Sequence, residues 1–206
     1  MKTTWPLSSI RHIGRFVTRA ETPRPGVTYR QVGVRLWGVG AYEREPIDGG
    51  DTKYSTFYRV EAGDVIFNKI WARHGAVAVV DGTLSGTYGA SEMRALQVDV
   101  DIVHPRWFHW LSKWPDFWVA CEAESRGSSG KNRIKPERFL DIRIPLPSPG
   151  DQSRIVDTLD SVSSRIQESD KLRTEIESER EEMLRAFARE LAKGAPRRRM
   201  QEVAPI

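Results

Sequence analysis

Four cations, Arg126, Lys131, Arg133 and Lys135, fall within one ten-residue stretch of this sequence. Between them lie Gly127, Ser128, Ser129, Gly130 and Asn132. Small residues let a backbone approach phosphate closely, and hydroxyls, amides and cations all donate to phosphate oxygens. Asn and Arg can also grip adenine and guanine edges with two hydrogen bonds at once. A second basic group, Asn68, Lys69, Arg73 and His74, follows a short apolar run that begins at Val65. Contact with a nucleic-acid backbone is one reading of both groups. A solvated charged face is the other, and the residues by themselves leave both open.

Other spacings point to chemistry and fail on inspection. Gly127-Ser-Ser-Gly-Lys131 resembles the end of a phosphate loop. Such a loop needs glycine where Ser125 sits and Ser or Thr where Asn132 sits. Glu61, Asp64 and Lys69 could belong to a metal-dependent nuclease, but no acid-x-Lys pair follows them, and Glu61 to Asp64 reads as a turn. His12, His74, His104 and His109 have no metal-ligand spacing. Gly38-Val-Gly40 lacks the third glycine and the helix start of a dinucleotide site. The Asn-Pro-Pro-aromatic or Asp-Pro-Pro-aromatic tetrad of amino-methyltransferases is missing too. No metal site, no cofactor site and no catalytic centre is expected in this chain.

The elements that must hold the basic groups have two textures. Up to about residue 147 the sequence is punctuated often. Tyr29 to Trp37 and Arg94 to Val100 alternate like half-buried strands, and Val65 to Phe67 and Ala76 to Val80 are short buried runs. Pro105 to Leu111 and Pro115 to about Ser125 read as helices, and Asp141 to Ile144 as a strand stopped by Pro145 and Pro147. This predicts an α+β domain over residues 1–147, with a curled or barrel-like mixed sheet and a few helices. From Ser148 the pattern changes. Ser148, Pro149 and Asp151 fit an N-cap, a first-turn proline and a carboxylate three residues after the cap. Apolar residues then recur at Ile155, Leu159, Val162 and Ile166 and resume at Leu172, Ile176, Met183, Phe187 and Leu191. Gly194 and Pro196 supply the stop. A coiled-coil-type helix over residues 148–193 is expected, with Ser161 to Ser164 a candidate break, and a basic, flexible tail over 194–206. Such a helix would be roughly 67 Å long at 1.5 Å per residue, so a partner helix is expected along its seam. Folding back on its own domain is the alternative.

Charge divides along the same line. Residues 1–150 carry 21 Lys and Arg against 16 Asp and Glu, whereas residues 151–193 carry 8 against 11. Different partners are expected for the two parts. Mean hydropathy is -0.51, and no apolar run reaches the roughly 18 residues of a membrane span. The first residues show no secretory pattern. Cys121 is the single cysteine, read as a small buried hydrophobe in a reducing, cytoplasmic setting.

The order Tyr29-Arg-Gln-Val-Gly-Val-Arg-Leu36, Gly63-Asp-Val-Ile-Phe67, Ala72-Arg-His-Gly-Ala76 and Gly130-Lys-Asn-Arg133, then Phe139, Ile142, Ile144-Pro-Leu-Pro147 and Gln152 to Ile155, resembles a target-recognition domain of type I restriction–modification specificity subunits. The resemblance covers roughly residues 27–193. Where family members often place two acids or a Glu before the glutamine, this chain has Gly150-Asp151. The resemblance implies a non-catalytic subunit of a phage-defence system that binds double-stranded DNA and positions a methyltransferase subunit on it. S-adenosylmethionine would then sit on that partner, and a restriction (translocase) subunit could join. Members of the family usually carry two recognition domains and two antiparallel helices, so this chain resembles half of one. A second copy or a related specificity chain would complete it through Ile155, Leu159, Val162, Ile166, Leu172, Ile176, Met183 and Phe187. The expected DNA contacts are Asn68, Lys69, Arg73, Arg126, Ser128, Ser129, Lys131, Asn132, Arg133 and Lys135. A coiled-coil DNA-binding regulator without a methyltransferase is the alternative, and a small nuclease a more distant one.

Overall fold

The computed structural model describes residues 5–125 and 132–193. The chain divides into a first compact unit ending at Asp157 and a second beginning at Thr158. In chain order the strands of the first unit are β1 (Leu7–Ser9), β2 (Gly14–Val17), β3 (Ala20–Glu21), β4 (Thr28–Arg35), β5 (Gly40–Asp48) and β6 (Phe57–Arg59). They continue with β7 (Val65–Asn68), β8 (Val77–Val79), β9 (Tyr88–Gly89), β10 (Met93–Val98) and β11 (Arg143–Pro145). Helices α1 (Pro105–Leu111), α2 (Pro115–Glu124) and α3 (Pro136–Asp141) precede β11, and α4 (Pro149–Lys193) follows it. The α+β class and the long helix agree with expectation. The strands, however, divide into three sheets rather than one curled sheet: β1-β11, β2-β10-β7-β8 and β3-β6-β9-β4-β5.

The middle sheet explains why β7 is an apolar run instead of an alternating one. Val65 and Phe67 join one core cluster with Phe108, Phe117 and Phe139 of the helices, while Ile66 joins a second with Val32 of β4. Successive side chains leave opposite faces of a strand, so a strand covered on both sides must be apolar throughout. β10 behaves alike, sending Leu96 and Val98 to the helical side and Ala95 to the other. In β4 a bulge between Tyr29 and Gln31 lets Tyr29 and Val32, three residues apart, both face inward. Asp64 caps this arrangement at the start of β7. It is buried and takes Nη1 of Arg19 at 2.6 Å and the Glu61 N–H at 2.9 Å.

Helix α3 departs from the expected pattern. Pro136 at its first position favours the helix start, and Phe139 stacks on Phe67 with centroids 4.0 Å apart. Asp141 therefore ends a helix, and the strand starts at Arg143. Cys121 is fully buried, and that burial pushes its thiol pKa well up.

Ser148 caps α4, accepting from the Asp151 N–H at 3.3 Å, while its hydroxyl meets the Asp151 carboxylate at 2.8 Å. Gln152 is fully buried, and its amide is satisfied three times. Oε1 accepts from the His104 N–H at 2.9 Å, and Nε2 donates to the carbonyls of Ile102 at 3.0 Å and Pro147 at 2.9 Å. Val156 is buried and Ile155 packs on the helical-side core. The first two turns of α4 thus belong to the first unit, and Ile155, partly buried, packs against that unit's core.

Within the second unit the helix runs on without interruption through Ser161 to Ser164, so the candidate break is absent. Serine is tolerated in a helix when its hydroxyl does not displace the backbone ladder. Val162, Ile166, Leu172, Ile176, Met183, Phe187 and Leu191 are all exposed, as is Leu184, which falls outside the expected spacing. Leu159 is half-buried. Among the described residues no helix is long and apolar enough to cross a membrane.

Candidate nucleic-acid interface

Three segments meet at the C-terminal end of β7. The first is the loop from Asn68 to Ala76. Asn68 Oδ1 accepts from the N–H groups of Ile70 at 2.9 Å and Trp71 at 3.3 Å, which turns the chain sharply out of the strand. A short 3-10 turn, Ala72–His74, follows and ends on Gly75 at φ 77°. Only glycine fits there, because a Cβ would lie 2.8 Å from both the Gly38 nitrogen and the Trp118 ring.

The second segment is the turn between β4 and β5. The Trp37 N–H donates to the His74 carbonyl at 2.7 Å, the Gly38 N–H to the Gly75 carbonyl at 3.2 Å, and Lys113 Nζ to the Gly38 carbonyl at 2.9 Å. Burial lowers the Lys113 ammonium pKa, with Arg106 adding to the effect. Trp37 has φ 60°, the one described non-glycine residue in the left-handed region, and its side chain is 60% exposed. That backbone conformation costs roughly 1–2 kcal/mol for an L residue.

The third segment enters at Asn132. Its carbonyl accepts from Arg73 Nη1 at 3.4 Å, and the Ile134 N–H donates to the Lys69 carbonyl at 2.9 Å. Ile134 is fully buried and pins the segment to β7. Of the expected DNA-binding residues, Asn68, Lys69, Arg73, Asn132 and Arg133 are brought together here. Lys135 is exposed at the cap of α3. Arg126, Ser128, Ser129 and Lys131 lie outside the described residues.

Sequence reading missed Glu92. Its Oε1 sits 2.9 Å from Arg133 Nη2 and its Oε2 3.6 Å from Lys69 Nζ, so one carboxylate orients two cations from distant segments and leaves a net positive charge. Trp37, Trp71 and Trp118 were missed as well. No local pattern marks Glu92, because a β-strand pairing brings it there. The Trp37-Gly38 turn between two strands was the one available signal for the tryptophans.

Asp64 and Lys69 stand at opposite ends of β7, each in its own ion pair. Among the described residues no group of three His, Cys, Asp or Glu could hold a metal ion. The arrangement offers fixed cations, amides and exposed rings, which suit an anionic, base-bearing partner.

A family model for the type I restriction modification DNA specificity domain matches residues 27–178. Among solved structures the chain is similar to the HsdS subunit from Thermoanaerobacter tengcongensis, at 20% identity and a TM-score of 0.68, over 90% of this chain and 49% of that one. It is similar to a chain from a structure of complex assembly and conformational transition of the type I R-M system, at 19% identity and a TM-score of 0.65, over 94% and 51%. The type I S subunit from M. genitalium is similar at 16% identity and a TM-score of 0.52, over 81% and 41%. At these identities the likeness is one of fold. The chain spans about half the length of the first two structures. No curated protein matches it.

Proposed function

Because this chain belongs to the type I restriction modification DNA specificity family, we propose that it supplies one DNA-reading domain and one spacer helix of a specificity subunit, with no catalysis of its own. The loops at the end of β7 read one half of a split site. The helix pairs with a second copy or a related specificity chain, so that two readers stand a fixed distance apart on double-stranded DNA. A methyltransferase subunit carrying S-adenosylmethionine docks on this pair, and a restriction subunit joins where the host supplies one. The observation that carries the reading is the open apolar stripe from Val162 to Leu191, which continues past the end of the family match at residue 178. Apolar side chains at helical spacing that cover nothing of their own chain are what a partner helix requires.

The test is DNA binding by the chain assembled with its methyltransferase subunit, titrated against salt. Removing one cation–phosphate pair lowers the log–log salt slope by about one, so neutralising Lys131 and Arg133 together is expected to lower it by about two. Site-specific binding by the chain with no methyltransferase subunit present would favour a free-standing regulator.

A further inference from the structure

Trp37 stands apart from the other described tryptophans. Its backbone is held in the left-handed region, and its ring is 60% exposed. A tryptophan kept for the core would be buried, and a turn kept for its shape would carry glycine at this φ. A strained, exposed residue persists when its surroundings over-determine it, and such residues gather at binding sites. Here they do. The turn is tied by the Trp37 and Gly38 N–H groups to the 72–75 loop and by Lys113 to α1–α2. The ring is backed edge-on by His74 at 5.5 Å and by Trp118 at 5.8 Å. Trp118 is itself fixed by its Nε1–H, which donates to the Ser112 carbonyl at 2.8 Å. Trp71, 44% exposed, packs against His74 as well, at 5.8 Å. The result is an aromatic ridge braced by its neighbours.

Its surroundings select the partner. Residues 33–42 and 65–80, which include the turn and the loop, contain Arg35, Lys69, Arg73 and His74 and no acid of their own; Lys69 is paired with Glu92, Arg35 lies over the Tyr42 ring, and Arg73 meets His74. A polyanion with flat apolar faces between its charges matches a backed indole flanked by cations.

We infer that Trp37 is a wedge that inserts between neighbouring base pairs of bound DNA, stacking on an unstacked base while Arg35 and Arg73 hold the adjoining phosphates. The inference rests on the DNA-reading role proposed above. It adds that this domain distorts its half-site, and that part of its selectivity comes from how easily a base step opens. Flexible pyrimidine–purine steps would be preferred at the wedge position.

The test uses the chain assembled with its methyltransferase subunit, and duplexes carrying the methylated motif with 2-aminopurine placed singly across one half-site. Wild type is expected to change 2-aminopurine fluorescence sharply at one step and bind more tightly when that step is mismatched. Trp37→Gly and Trp37→Ala are expected to abolish that signal and weaken binding roughly tenfold, and Trp37→Phe to keep part of both. Trp37→Gly is expected to melt no lower than Trp37→Ala, since glycine accepts the left-handed turn, which separates the loss from misfolding. Unchanged affinity and fluorescence in Trp37→Gly would overturn the wedge while leaving the DNA-reading role standing. Failure to capture the methyltransferase, with DNA binding intact, would also overturn it and assign the ridge to a protein partner. If wild type itself binds no duplex site-specifically, both the role and the wedge fall.

Discussion

Phe139 and Phe187 are the same residue type with opposite surroundings. Phe139 is fully buried and stacks on Phe67 of β7, whereas Phe187 is 62% exposed on α4. The contrast holds for their regions. In the first unit the apolar pattern is answered from within the chain, by strands buried on both faces and by three short helices. In the second it is answered by nothing among the described residues. The first unit's apolar residues are thus covered by its own chain, whereas those of the helix from Val162 onward are exposed. Isolated helices gain little from propensity and charge pairs such as Arg185–Glu181 at 2.8 Å, which are worth only tenths of a kcal/mol each.

The largest effect should come from the open stripe. Charging Ile166 and Ile176 together, as Ile166→Asp with Ile176→Asp, would bury unpaired carboxylates in a paired seam at several kcal/mol each. Sedimentation should show self-association weakened by more than about a hundredfold. Calorimetry should show the recognition domain melting as before, because neither side chain packs in the single chain. A dimer that survives would place the seam elsewhere.

Next comes the charge buried in the first unit. Asp64→Ala strips Arg19 of its partner and frees the Glu61 N–H, and should cost about 3–5 kcal/mol in denaturant unfolding. Gln152→Ala should cost less, about 1–3 kcal/mol, by leaving the His104 N–H and two carbonyls without their bonds. If Gln152→Ala leaves stability unchanged, the first turns of α4 are not part of the recognition domain.

Gln152 also illustrates what the sequence could and could not show. The Gln-x-x-Ile start of the helix was visible as a pattern, but its purpose was not. A fully buried amide joined to the loop before α1 is a tertiary fact with no local signature. Buried strands such as β7 and the helices at Pro105 and Pro115 were legible because proline, glycine and apolar runs mark their ends. β5 was not, since its charged residues Glu43, Arg44 and Glu45 hide an edge strand whose partner β4 supplies the register. At the interface, the cations near Asn68 and Asn132 were legible by composition. Glu92, which joins them, and Trp37, which projects beside them, depend on segments that meet only in three dimensions.

The smallest effect concerns acid. Asp81 caps the 3-10 turn at Gly82, and the Thr83 hydroxyl, then the N–H groups of Thr83 and Leu84, hold its carboxyl below the usual range. Glu21 is lowered in the same way by the Tyr88 hydroxyl first and Tyr29 after it. A depressed folded pKa adds stability above the unfolded value and loses it as pH falls through the folded one. The melting temperature should therefore drop below about pH 4. Thr83→Val should make that drop shallower, and identical slopes for the two proteins would remove Asp81 from the account.

The contrast between a self-contained reader and an unpaired helix is tested most directly by methylome sequencing of cells that carry this chain with its methyltransferase subunit. If two copies pair about a two-fold axis, the same loops face DNA twice in inverted orientation. The expected motif is an interrupted palindrome with a fixed spacer, and shortening α4 by whole heptads should change the spacer and leave the half-site letters alone. A single uninterrupted, asymmetric methylated motif would contradict the account.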